Sequence, residues 1–148
     1  LDVSGSMWTR MSVDSFKPLA DLTELRILYL TNIVSLDGSI QPLAKLKNLR
    51  ELHTGNFYGW QEFALLAGSR PDIECSWFKP LTELPFQACE ECQNNLVMLT
   101  GRRQPNLCPK CNADRVQKHV GRFMELKREA AQQAVAADER RAGEERVR

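Results

Sequence analysis

No apolar run in this 148-residue sequence approaches the roughly 18 residues that a membrane-crossing helix needs, so no membrane partner is expected. No basic segment leads into an apolar stretch at the start, so no signal peptide is read. The chain opens on Leu1 rather than Met and is read as a piece of a longer protein. Histidine is scarce: His53 and His119 are the two present, and both are expected on the surface. No Ser, His and acid arrangement, paired-carboxylate motif or glycine-rich phosphate loop stands out, so nothing argues for an enzyme.

Charge of one sign is also missing overall, because the formal net is +1. That balance hides an asymmetry. Residues 1–100 carry 8 basic and 12 acidic side chains, whereas residues 101–128 carry 8 basic and 2 acidic. Any partner of the basic segment has to be argued locally.

What the first half does contain is self-similarity. The stretch PLADLTELRILYLTNI matches PLAKLKNLRELHTGNF at an offset of 24, placing Leu22, Leu25, Leu28 and Ile33 on Leu46, Leu49, Leu52 and Phe57. Along a short strand, alternation sends Leu28 and Leu30 inward and Tyr29 and Thr31 outward. The frame extends upstream to Leu1 and Val3 and downstream, past WQEFALLAG, to Ile73 and Cys75, with spacings of 27, 24 and 21 residues.

This pattern resembles the internalin-type leucine-rich repeats of bacteria over roughly residues 1–77. The resemblance implies an α/β fold, a repeat solenoid with short parallel strands. Its concave face would bind a protein partner through outward residues, among them Tyr29, Thr31, Glu51, His53, Asp72 and Glu74, with Tyr29 as the anchor. The face holds acidic side chains and no Lys or Arg, which suits a basic or polar protein surface. Cys75 is expected as a buried apolar thiol. The opening LDVSGSMW has a second reading. D-x-S-x-S is similar to the metal-binding turn of von Willebrand factor A domains, in which Asp2, Ser4 and Ser6 would offer hard oxygens to magnesium. The strand frame is preferred.

After a linker, residues 78–88, come two C-x-x-C pairs: Cys89 with Cys92, and Cys108 with Cys111, with fifteen residues between. That spacing suits four thiolates around one Zn2+, a structural cofactor. Iron of the rubredoxin type and a redox dithiol are the alternatives. The intervening LVMLTGRRQPNL reads as strand, turn at Gly101, strand, so residues 89–112 resemble a zinc ribbon.

From Ala113 the chain reads as a long helix to residue 148, with Val116, Val120, Phe123 and Met124 on its apolar stripe and a charged, fraying tail. Arg102, Arg103, Arg115, Lys118 and Arg122 are candidates for nucleic-acid phosphates. A solvated face is preferred, because no aromatic interleaves with them in sequence to stack on bases. The sequence therefore predicts a cytoplasmic protein-interaction module, a repeat scaffold closed by a structural zinc ribbon, with nucleic-acid binding through the ribbon and basic helix as the alternative. Four thiols favour a reducing compartment.

Overall fold

Leu28 and Leu30 are fully buried while Ile27 and Tyr29 are exposed, the period-two pattern of a strand with one face on a core. In the computed structural model, which describes residues 1–147, the strands are β1 (Met11–Val13), β2 (Ile27–Leu30), β3 (Ile33–Ser35), β4 (Glu51–Thr54), β5 (Leu81–Ala88), β6 (Asn95–Leu99) and β7 (Asn106–Leu107). The α-helices are α1 (Trp60–Ser69) and α2 (Ala113–Val147). Two 3-10 turns, Lys17–Asp21 and Gln41–Lys45, each carry Pro near their start, where its missing N–H leaves no bond unmade.

The expected solenoid does not form. Over the described residues the chain is a small mixed fold of two α-helices and seven short strands in three separate sheets, and no stacked coil closes. β2 and β4 pair in parallel at the 24-residue offset, Leu28 against Leu52 and Tyr29 against His53. The outer segments add bridges rather than full strands, Asp2 to Tyr29 and Glu51 to Glu74, the first carried by Val3 and Gly5 N–H on the Tyr29 and Thr31 carbonyls and by Tyr29 N–H on the Leu1 carbonyl. Bends at Met7 and Trp8, and the turn at Ser76 and Trp77, take the chain off this sheet before longer ladders can grow. A second parallel pair, β1 with β3, matches Met11 to Ile33 outside the repeat frame. Leu22, matched to Leu46 in the repeat, is 44% exposed, whereas Leu46 is fully buried.

The main core gathers Phe16, Leu28, Leu30, Leu43, Leu52 and Phe63 with further apolar neighbours, and takes Phe123 from α2. Tyr58 is buried among them, edge-on to Phe16 and Phe63, and its hydroxyl donates to the Ile33 carbonyl at 2.9 Å. Burial raises the Tyr58 phenol well above its ordinary range, so it stays a neutral donor. A second, smaller cluster joins Val97, Leu99 and Leu107 of the ribbon to Val116 of α2. One helix thus belongs to both clusters. Its buried stripe is Val116, His119, Phe123 and Ala130. Met124, placed on the stripe from sequence, is 47% exposed, and His119 takes an inward position instead.

α1 and α2 touch at Gly68, where a methyl group would overlap the Lys127 carbonyl oxygen and crowd Ala130. Residues 78–88, read from sequence as a linker, include β5, which pairs antiparallel with β6. The register shifts between Leu84 and Ala88, around Pro85, which has no N–H to give a ladder.

Candidate metal centre and binding surfaces

Two antiparallel pairings, β5 with β6 and β6 with β7, bring the ends of the hairpin together. The first knuckle closes with Cys89 N–H on the Asn94 carbonyl and Gln93 N–H on the Cys89 carbonyl, at 2.8 and 2.9 Å. Gln93 adopts φ +60° to do so, a left-handed conformation that non-glycine residues visit at some cost. The second knuckle runs straight into α2: Asn112 N–H reaches the Cys108 carbonyl, and Val116 N–H reaches the Asn112 carbonyl. The metal site and the helix therefore start from one turn.

The Sγ atoms of Cys89, Cys92, Cys108 and Cys111 all lie within 4.8 Å of one another. Cys92 and Cys108 are separated by 3.4 Å, Cys89 and Cys111 by 3.8 Å. A disulfide needs about 2.05 Å, and no pair is bonded among these thiols. Four ligands at about 2.3 Å around tetrahedral zinc stand about 3.8 Å apart, so the sulfur positions fit such an ion. The donors around them fit too. Cys111 N–H points at the Cys108 sulfur at 3.4 Å and the Asn94 side-chain amide at the Cys92 sulfur at 3.2 Å, both stabilising thiolate. The four cysteines are thus positioned to hold a metal ion.

The thiols are not equivalent. The Asn94 backbone N–H, then a hydrogen bond from Cys108, pulls Cys92 down to about 6. Cys111 is pushed up by its neighbours Cys92 and Cys108, the expected result of crowding like groups. A dication among them removes that penalty and favours four thiolates. Cys75 lies apart, half-buried against the main core, and burial pushes its thiol up to about 11. It packs as a small apolar residue.

Of the residues expected on a partner face, Tyr29 and His53 stack with ring centroids 4.5 Å apart and planes 10° from parallel. His53 Nε2 lies 3.3 Å from Glu51. Thr31 and Glu74 are exposed nearby in register. Asp72 is committed elsewhere. Its carboxylate accepts from Arg70 at 2.8 Å and Arg50 at 3.0 Å, and the Arg70 bond, first among the causes, holds it below the ordinary carboxylate range. Arg70 itself is nearly buried and also donates to the carbonyls of Ala44, Leu46, Lys47 and Leu49. Sequence reasoning missed this peg, since the carbonyls it serves belong to a distant turn and leave no motif.

The oxygens of the opening stretch cap backbone N–H groups. Asp2 accepts from Ser4 N–H at 2.8 Å, and the Ser4 hydroxyl and then this N–H lower its carboxyl; Ser4 Oγ accepts from Thr31 N–H, and Ser6 Oγ from Thr9 N–H.

Arg102 and Arg103 are exposed on the turn between β6 and β7, and Arg115, Lys118 and Arg122 on α2. The three α2 cations border a groove of about 260 Å³ together with Gln104, Pro105 and, unexpectedly, Trp60. The aromatic missing from the basic stretch of sequence is supplied by α1. Trp60 meets His119 edge-on at 5.9 Å, and His119, read as a surface residue, is only 8% exposed with Nε2 3.0 Å from the Pro80 carbonyl. Burial lowers the His119 pKa. Asn56, also unforeseen, clamps the ribbon turn: it donates to the Leu99 carbonyl and accepts from Gly101 N–H at 2.7 Å.

Among the described residues no helix is long and apolar enough to cross a membrane. No protein-family model, no curated protein and no solved structure matches this chain.

Proposed function

We propose that the chain is a protein-binding domain in which one structural Zn2+ on Cys89, Cys92, Cys108 and Cys111 holds the ribbon, while the exposed sheet face around Tyr29 receives the partner. Binding, not catalysis, is the activity assigned. The observation that carries the partner reading is the Tyr29–His53 stack beside Glu51, a flat amphipathic surface already ordered on a rigid sheet. Glu51 and Glu74 give it negative character, so a basic or polar protein segment is the fitting partner. Four reduced thiols suit a reducing compartment, the cytoplasm.

For the metal, four thiolates at tetrahedral spacing with no open position support a structural ion over a redox pair, and zinc, which has no redox chemistry of its own, is the ion assigned. Elemental analysis of chain purified under reducing conditions should return one zinc per chain. A zinc-free, fully folded protein, or iron in its place, contradicts the assignment.

For the partner face, zinc-loaded chain is presented to immobilised peptide pools of basic, neutral and acidic composition. Basic pools should retain it best, with Tyr29→Ala and Glu51→Lys each reducing retention about tenfold at unchanged melting temperature, as loss of an interface anchor would. If both variants bind like the parent, the face is not the site.

A further inference from the structure

Arg115, Lys118 and Arg122 fall at helical positions i, i+3 and i+7, one face of α2, and the fold turns that face toward the ribbon hairpin. Among the described residues none of the three pairs with a carboxylate, and the residues lining their groove include no Asp or Glu. The rest of the lining is of another character: Trp60 and Pro105 offer flat apolar surface, backed by the buried Leu99, Leu107 and His119, and Gln104 offers an amide. Arg102 and Arg103 precede Gln104 on the same turn and are exposed. Unpaired cations around an apolar, partly aromatic floor call for a ligand that repeats an anion and a planar ring at short intervals.

We propose that this groove binds single-stranded nucleic acid, with backbone phosphates on Arg115, Lys118 and Arg122 and one base lodged against Trp60 and Pro105. A strand provides both groups at every nucleotide, and aromatic floors accept any base because each has a π-face. The groove volume is near that of one nucleotide, so a single base enters and the neighbouring phosphates lie along the helix face. A duplex keeps its bases stacked inside and offers the groove phosphates alone. The site uses neither Tyr29 nor Glu51 and stands independently of the protein-binding face.

The test measures anisotropy of a fluorescein-labelled oligothymidylate of about a dozen nucleotides, a length within ordinary single-strand site sizes, against the zinc-loaded full chain over a salt series. Binding should weaken with salt, and Arg115→Ala and Arg122→Ala should each reduce the slope of log K on log salt by about 0.7. An abasic strand of the same length keeps the phosphates and removes the rings, so it reads the base contact without altering Trp60. It should bind about tenfold more weakly, the scale of one stacking contact. Tyr29→Ala should bind the oligonucleotide like the parent. Equal affinity for the abasic strand overturns the base pocket. Slopes unchanged in both Arg variants, or polyglutamate competing as well as oligothymidylate, overturn the nucleic-acid assignment.

Discussion

Gly68 of α1 stands where a β-carbon would overlap the carbonyl oxygen of Lys127 on α2, so the two helices meet backbone to backbone. Gly68→Ala should push α2 outward and destabilise the chain by about 1–3 kcal/mol, the usual result of overpacking. Gly121 lies in α2 with open space where a methyl would go, and Gly121→Ala should stabilise by about 0.5–1 kcal/mol through helix propensity. Chemical denaturation of the parent and the two variants checks the opposite signs. A stabilised Gly68→Ala contradicts the contact.

Arg70 carries more than an ion pair. Removing it withdraws a charged donor from four carbonyls, of which Leu46 keeps the Leu49 N–H and Lys47 and Leu49 keep Arg50, so Arg70→Ala should cost about 2 kcal/mol, whereas Asp72→Asn, at an exposed partner, should cost under about 1 kcal/mol. The Asp72 carboxyl is lowered in the folded chain, so its contribution is complete above the ordinary carboxylate pKa and disappears as pH falls through the lower folded value. Melting curves from pH 7 down to pH 2 should show a shallower acid limb for Asp72→Asn than for the parent. Identical limbs would remove Asp72 from the pH response.

Replacing Cys92 or Cys108 with Ser should abolish zinc binding and lower the melting midpoint of the whole chain, because binding free energy on the order of 10 kcal/mol is part of folding in small zinc sites. Cobalt substituted for zinc should give the absorption of a tetrahedral thiolate site in the parent and lose it in either variant. A variant that keeps full metal content and the parental melting profile contradicts a four-thiolate site.

Thiol labelling separates Cys75 from the cluster. In zinc-loaded native chain Cys75 should react slowly at neutral pH, since burial holds its thiol near 11 and hides it against the core. Chelation should release four fast thiols, with Cys75 following only on global unfolding. Rapid modification of Cys75 before chelator is added would contradict its packing.

The four-cysteine cluster was legible in the sequence because two C-x-x-C pairs encode their own local geometry. The Leu28 and Leu52 pairing was legible for a similar reason, as alternation and a repeated offset are properties of the chain alone. How far that pairing would propagate was not. Whether Asp2 and Glu74 extend ladders or stop at single bridges depends on turns at Met7 and Trp77 whose direction no periodicity records. His119 and Met124 exchanged places because the inward side of α2 is set by what it packs on, and both fit an amphipathic stripe of slightly different phase. Trp60 reached the basic face through a contact spanning more than fifty positions, beyond any local pattern.

The ribbon turn is tied to the first half by Arg102 N–H on the Tyr58 carbonyl at 2.6 Å and by the Asn56 amide, while α2 contributes Val116 to one apolar cluster and Phe123 to the other. The chain consequently has no seam along which the metal-bearing part could melt by itself. Calorimetry should find a single cooperative transition, and zinc concentration should shift the midpoint reported from Tyr58, a residue of the other apolar cluster.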